Sequence, residues 1–108
     1  MAREQFQTLT ESMYYILLSL IRPMHGYEIM QNVKTITENK VIVGAGTLYA
    51  LLLRFENEKI VRQLDSDGRR KVYVLTEKGR ELLDKEYARL KQSISAYDMY
   101  INNKELEL

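Results

Sequence analysis

Two glycines in the stretch GAGTLYALLLRF, Gly44 and Gly46, have the G-x-G spacing found in loops that bind nucleotide phosphates. A dinucleotide loop needs a third glycine where this chain has Tyr49, and a Walker loop needs Lys-Ser/Thr where it has Thr47 and Leu48. The alternative is that both glycines adopt backbone angles closed to other residues, turn the chain sharply into a helix and leave its N-terminus bare. The N–H groups at such a helix start can approach a DNA phosphate.

Basic residues cluster in the middle of the chain, although its total net charge is only +1. Residues 40–80 hold nine Lys/Arg against five Asp/Glu, whereas the two flanking segments are each net acidic. Arg69, Arg70 and Lys71 directly follow an Asp-Gly pair, the strongest short signal for a hairpin turn. Three cations at a hairpin tip can clamp DNA phosphates or enter a narrow minor groove. The alternative is a solvated turn that only aids solubility.

Groups that catalyse reactions or bind metals are scarce in this sequence. Cysteine is absent, which excludes disulfides and thiolate metal sites and fits a reducing cytosol. The one histidine, His25, stands between Pro23 and Gly26 without the partners of a catalytic triad. A turn or helix-capping role explains His25 better than a role as general base. We therefore expect no enzymatic activity, no metal and no cofactor.

The N-terminal segment MAREQFQTLTES is polar and lacks the apolar core of a signal peptide. The longest apolar run, Met13–Ile21, is interrupted by Ser19 and is too short to span a bilayer. These two features predict a cytoplasmic protein with no membrane partner.

Hydrophobic periodicity predicts the elements that position these residues. Thr8 and Glu11 have the spacing of a capping box, so a first helix is expected to begin near Thr8–Thr10. A second helix is predicted over about residues 25–37, and a third runs from the two glycines to Glu58. Each has an apolar stripe at helical spacing, which faces the core of a small domain.

The third helix is followed by a predicted hairpin. Residues 59–64 and 70–75 are rich in Ile, Val and Tyr and flank the Asp-Gly turn, while Val41–Val43 is a short apolar link or one further strand. Thr76 is expected to cap a final helix. Three helices, a hairpin and a long helix predict a mainly α (α+β) fold, the winged helix-turn-helix, whose third helix enters the DNA major groove.

The final helix carries a regular apolar seam whose members are spaced 4, 3, 4, 3, 4, the period that keeps one face against a partner helix. The alternative is a helix that lies on its own domain. We favour a dimer and predict a DNA-binding domain over residues 1–76 and a dimerisation helix over residues 77–108. With the broad apolar arc of the first helix, the candidate dimer-interface residues are Met13, Leu17, Leu83, Tyr87, Leu90, Ile94, Tyr97 and Ile101.

Aromatic side chains on the first and last helices offer a pocket for a flat hydrophobic ligand, although plain interface core is the commoner use of such residues. The candidate effector contacts are Tyr14, Tyr97, Met99 and Tyr100.

Three segments in this order and spacing resemble the PadR family of transcriptional regulators: HGYEI (25–29), GTLYALLLRFE (46–56) and GRRKVYVLTEKG (68–79). The resemblance covers about residues 10–83, and the single C-terminal helix is similar to the smaller PadR subfamily. It implies a winged helix-turn-helix, a homodimer joined through the N- and C-terminal helices, and repression that small hydrophobic or phenolic compounds relieve.

The resemblance also implies where double-stranded DNA is contacted, on the third helix and on the wing. Together with the sequence pattern, it gives the candidate DNA contacts Gly46, Thr47, Tyr49, Arg54, Arg69, Arg70, Lys71 and Tyr73.

This chain departs from the PadR pattern at three points. Ala45 replaces a frequent proline, and Lys59 stands where glycine is usual before the first wing strand. A left-handed backbone at Lys59 would cost about 1 kcal/mol. The tryptophan that can line the ligand cleft of the small subfamily is absent.

Two function classes remain beside a dimeric DNA-binding repressor. The first is a protein-interaction module that binds through the apolar first and last helices, which the near-neutral total charge favours. The second is an enzyme, for which no constellation of residues exists. Non-specific affinity for duplex DNA at low salt discriminates between the first class and a DNA-binding protein.

Overall fold

The structure, a computed structural model, describes residues 8–64 and 70–103 of the chain. The predicted order of three helices, a pair of strands and a long last helix is confirmed, and the fold is a winged helix-turn-helix. The elements are α1 (Glu11–Ser19), β1 (Met24–His25), α2 (Gly26–Ile36), α3 (Ala45–Asn57), β2 (Val61–Leu64), β3 (Val72–Leu75) and α4 (Glu77–Asn102).

Helix α1 begins inside the predicted region but uses a different cap. Thr10 is the N-cap, and its hydroxyl oxygen accepts the backbone N–H of Met13 at 3.2 Å. The predicted Thr8/Glu11 capping box is wrong, because Glu11 is itself the first helical residue and not the third.

A three-stranded antiparallel sheet has the order β1-β3-β2, so the hairpin strand β3 lies in the middle. The short strand β1 places His25 opposite Val72 and Met24 opposite Tyr73. The sequence analysis missed this strand, because two residues after a proline carry no alternating pattern. The predicted turn and Arg69 lie outside the described residues.

Val41–Val43 is an extended loop and not a strand, since no ladder joins it to the strands within the described ranges. Val41 and Val43 are buried and Ile42 is exposed, so the loop contributes two anchors to the core before α3 begins.

The core fixes the orientation of α3. Four apolar side chains on one face of this helix are buried against α1, α2 and the sheet, as the spacing predicted: Leu48, Leu51, Leu52 and Phe55. The opposite face of α3 is therefore left to solvent.

The chain leaves α3 through a left-handed residue. Lys59 has φ 63°, and the backbone N–H of Ile60 donates to the carbonyl of Phe55 at 2.8 Å. A non-glycine residue in this conformation costs about 1 kcal/mol. Lys59 therefore adopts the left-handed turn at the position where the resemblance led us to expect glycine, and the wing begins from that turn.

Helix α4 is fixed at its start and exposed at its end. The hydroxyl of Thr76 accepts the N–H of Gly79 at 3.0 Å, which confirms the predicted cap, and it lies 2.9 Å from the carbonyl oxygen of Ile60, to which it can donate. The first half of α4 contacts α1 and β3, whereas every side chain from Lys91 to Asn102 is exposed. None of the described helices combines the length and apolar character that crossing a membrane requires.

Candidate nucleic-acid interface

The N-terminus of α3 carries no side-chain cap. Gly44 is its N-cap, and Leu48 is the first residue whose N–H returns to the helix, 2.9 Å from the Gly44 carbonyl. The preceding N–H groups have no intrahelical acceptor, and the first turn contains no acidic residue. This helix end therefore presents donors and the positive end of the helix dipole to solvent.

The two glycines at this helix start have ordinary backbone angles. Gly44 is extended at φ −77° and ψ 161°, and Gly46 lies in the first helical turn without a positive φ. The expectation that they adopt angles closed to other residues is wrong. A β-carbon at either position would meet nothing within 4 Å, so what the glycines provide is open space around the N–H groups.

The exposed face of α3 carries four of the residues predicted to contact DNA. They are Gly46, Thr47, Tyr49 and Arg54. Leu48 and Leu51, on the other side of the helix, are buried in the core, so the face that carries the four residues points to solvent. The first three lie within the first two turns, whereas Arg54 lies in the last turn.

A cleft of about 450 Å³ brings the wing and α3 together. Four predicted DNA contacts line it: Tyr49 from α3, and Arg70, Lys71 and Tyr73 from β3 and the segment before it. Arg70 and Lys71 are exposed, whereas Tyr73 is 4% exposed. The structure therefore joins the helix and wing parts of the predicted interface into one surface.

Three further residues line this cleft that the sequence analysis did not assign to it: His25, Gly26 and Tyr27. The expected capping role of His25 is confirmed, since it is the N-cap of α2 and its backbone N–H donates to Glu28 Oε1 at 3.0 Å. Its place in the cleft follows from the pairing of β1 with β3, a contact between distant parts of the chain that local patterns do not reveal.

Gly26 has a steric reason to be glycine. A β-carbon at this position would lie 2.6 Å from Cζ of Tyr49. The Tyr49 ring therefore rests on the start of α2, which fixes where this half-exposed side chain stands in the cleft.

Polar contacts join the two sides of the cleft, and burial affects one of its phenols. Arg70 Nη1 lies 2.9 Å from His25 Nε2, and Glu28 Oε1 lies 3.4 Å from the same nitrogen. Burial, followed by the proximity of Glu56 and Tyr49, raises the pKa of Tyr73 above its usual value. The Tyr73 phenol therefore stays protonated at neutral pH and adds no negative charge beside Arg70 and Lys71.

The eight residues predicted for a dimer interface fall into three groups. Leu17 is 0% and Leu83 4% exposed, so both belong to the core of their own chain and present no surface to a partner. Met13 and Leu90 are partly buried. The remaining four are more than half exposed along one side of α4: Tyr87, Ile94, Tyr97 and Ile101.

The four candidate effector contacts do not meet within one chain. Tyr14 lines a groove of about 290 Å³ between α1 and α4, together with Glu86, Arg89 and Leu90. Burial, followed by the proximity of Tyr15, Glu86 and Tyr87, raises the pKa of Tyr14. The other three candidates stand exposed on the outer half of α4: Tyr97, Met99 and Tyr100.

Comparison with known proteins places this fold in a family. The model of the transcriptional regulator PadR-like family matches residues 16–85, well over half of the chain. A relative from Lysinibacillus sphaericus, named uncharacterized protein X, is 33% identical over a 91-residue alignment that covers 76% of this chain and 84% of that protein. An uncharacterized 37.1 kDa protein in transposon TN4556 of Streptomyces fradiae is 39% identical over 64 residues, 59% of this chain. The match spans only 18% of the length of that second relative.

A solved structure agrees with the family match. The X-ray structure of a PadR-like transcription factor from Bacteroides fragilis is 32% identical, covers 79% of this chain and 84% of its own, and superposes with a TM-score of 0.64. Family, fold and the joined helix–wing surface favour a DNA-binding regulator over an interaction module or an enzyme. The chain belongs to the PadR-like family of DNA-binding transcriptional regulators.

Proposed function

We propose that the chain is a homodimeric repressor that binds a palindromic operator and is released from it by a small aromatic compound. The observation that carries the proposal is the cleft in which Tyr49 of α3 meets the wing cations Arg70 and Lys71. The bare start of α3 lies one turn before Tyr49, so the helix N-terminus and the wing address the same nucleic-acid backbone. In this arrangement Thr47 and Tyr49 read the major groove.

Salt dependence tests the wing contacts. Each phosphate contact that is lost lowers the log–log salt slope of duplex binding by about 0.9. Replacing Arg70 and Lys71 with Ala is therefore expected to flatten the slope by up to about 2. Lys85→Ala is the matched control, because Lys85 is an exposed cation on α4 away from the cleft. An equal slope in the natural protein, the Arg70/Lys71 variant and Lys85→Ala would show that the wing cations do not contact DNA phosphates.

Dimerisation through α4 is supported by what this helix leaves exposed. The 26-residue helix is about 39 Å long, and its outer half contributes nothing to the core. Tyr87, near the middle of the helix, and Ile94, Tyr97 and Ile101 in its outer half form an apolar seam, which a second copy covers by two-fold symmetry. In this proposal residues 1–76 bind DNA and residues 77–108 join the subunits. Half-sites of the operator then lie roughly one helical turn, about 34 Å, apart.

An aromatic effector is supported by the placement of the tyrosines. Tyr14 borders the groove beside α4, Tyr97 lies in the seam and Tyr100 lies beside it, whereas Met99 lies on the opposite side of the helix. Two-fold pairing of α4 encloses Tyr97 between subunits, where a flat apolar ligand competes with its packing.

Selection of bound sequences from random duplex DNA, with and without a panel of aromatic compounds, tests the whole proposal. The expected result is enrichment of an inverted repeat with one helical turn between half-site centres, lost when one compound is added. Enrichment of a single asymmetric site would overturn the dimeric operator. An enrichment that no compound changes would overturn release by an effector.

A further inference from the structure

We propose that His25 is a positioning residue that holds Arg70 for contact with a DNA phosphate. This role rests on the proposed DNA-binding interface and adds a residue to it. The observation is the 2.9 Å contact between Arg70 Nη1 and His25 Nε2, at the edge of the cleft that Tyr49 also lines.

The direction of this hydrogen bond follows from chemistry. A guanidinium has only donors, so the His25 Nε2 atom must be the acceptor and the ring proton must sit on Nδ1. Glu28 Oε1, 3.4 Å from the same Nε2, already accepts the backbone N–H of His25. With its proton on Nδ1, the ring accepts from Arg70 at Nε2, and the Arg70 guanidinium offsets the repulsion between Nε2 and the Glu28 carboxylate, which keeps its bond to the His25 backbone N–H.

His25 is well placed to hold a side chain that would otherwise move. The His25 backbone is fixed twice, as the N-cap of α2 and by pairing with Val72 in β3. Arg70, in contrast, is exposed and lies two residues before β3. A long cation loses rotamer freedom when it binds a phosphate, and a hydrogen bond that restricts it beforehand reduces that loss. The contact thus links the helix-turn-helix to the wing.

Two substitutions at position 25 separate positioning from structure. His25→Gln keeps an acceptor at about the reach of Nε2, whereas His25→Asn has no acceptor at that reach but remains a favourable helix N-cap. Arg70→Ala removes the partner. We expect His25→Asn and Arg70→Ala each to weaken duplex binding by about three- to tenfold, the size of one typical net hydrogen bond. His25→Gln is expected to bind like the natural protein.

The double variant His25→Asn/Arg70→Ala is expected to bind no more weakly than Arg70→Ala alone, because His25 acts through Arg70. A nitrogen NMR spectrum gives an independent readout, since the chain has one histidine and its two ring nitrogens need no assignment to other residues. In the neutral ring the proton is expected on Nδ1, and Arg70→Ala is expected to shift it toward Nε2.

Losses that multiply in the double variant, or a proton on Nε2 in the natural protein, would overturn the positioning role while leaving the DNA interface intact. Failure of the natural protein to bind any duplex at low salt would overturn the interface itself, and the positioning role with it.

Discussion

The ring of Tyr49 occupies the space that a side chain at Gly26 would need. A β-carbon on Gly26 would lie 2.6 Å from Cζ and 3.0 Å from Cε1 of Tyr49. Because Tyr49 is 49% exposed, it is not locked by the core, and its position depends on this contact with the start of α2. The missing side chain at residue 26 therefore sets where Tyr49 of α3 stands in the cleft.

Gly26→Ala is expected to weaken duplex binding by about fivefold or more, since one good base contact contributes about 1–3 kcal/mol. The fold should survive, because the displaced group is the far end of a half-exposed side chain. Affinity and thermal unfolding are measured on the same preparations. In a Tyr49→Ala background the alanine has nothing to displace, so a further loss of affinity there would contradict the mechanism.

Gly79→Ala is expected to destabilise the fold. Its β-carbon would meet the backbone carbonyl oxygen of Ile60, which cannot turn aside as a side-chain end can, and would also lie 2.8 Å from Cδ1 of Leu75. Overpacking of this kind costs about 1–3 kcal/mol or more, which lowers the melting temperature by about 4–8 °C per kcal/mol in a domain of this size. Calorimetry measures the shift, and an unchanged melting temperature would show that the start of α4 can move away from β3.

Sequence patterns predicted the helices well, because an apolar stripe such as Leu48, Leu51 and Phe55 is a local signal. They did not predict β1 or the place of His25 in the cleft, since both depend on pairing with Val72, 47 residues further along the chain. The pattern also gave the wrong reason for Gly44. A G-x-G spacing indicates that side chains are absent, but whether this serves a backbone angle or open space depends on the surroundings.

Gly46→Ala separates folding from DNA binding. Open space surrounds position 46, and alanine is favoured over glycine in a helix by up to about 1 kcal/mol, so stability should stay constant or rise. The new methyl group stands beside the bare N–H groups of α3, so duplex affinity should fall. Unfolding and affinity are compared with Ile42→Ala, an exposed change in the preceding loop. Unaltered affinity would place the phosphate away from this helix end.

Glu86 makes the free energy of unfolding depend on pH in the acid range. Its side chain is 4% exposed, accepts Arg89 Nε at 3.1 Å and also accepts the Leu9 backbone N–H. The hydrogen bond from Arg89, against the opposing effect of burial, lowers the pKa of Glu86. A lowered pKa in the folded state means that the contribution is complete above the unfolded value, about 4.3, and is lost as the pH falls through the folded value.

Glu86→Gln is therefore expected to lower the free energy of unfolding at pH 7 by about 1 kcal/mol, because the half-exposed Arg89 is screened by solvent. Urea unfolding at several pH values measures the difference, which should shrink below about pH 4. Asp84→Asn is the control, since its pair with Arg80 is exposed on the same helix. A pH-independent difference would mean that Gln perturbs packing and not charge.

A charged substitution on the outer half of α4 tests the proposed dimer directly. Ile94 is 62% exposed in the single chain, so Ile94→Glu should leave folding of the chain intact while placing a charge in the proposed seam. Sedimentation velocity is expected to give a dimer for the natural protein and a monomer for this variant. Gln92→Glu adds the same charge two residues away, off the 3.5-residue seam, and should remain dimeric. A natural protein that sediments as a monomer would exclude the seam as a dimer interface. A dimer that persists in Ile94→Glu would show that the subunits meet through another face.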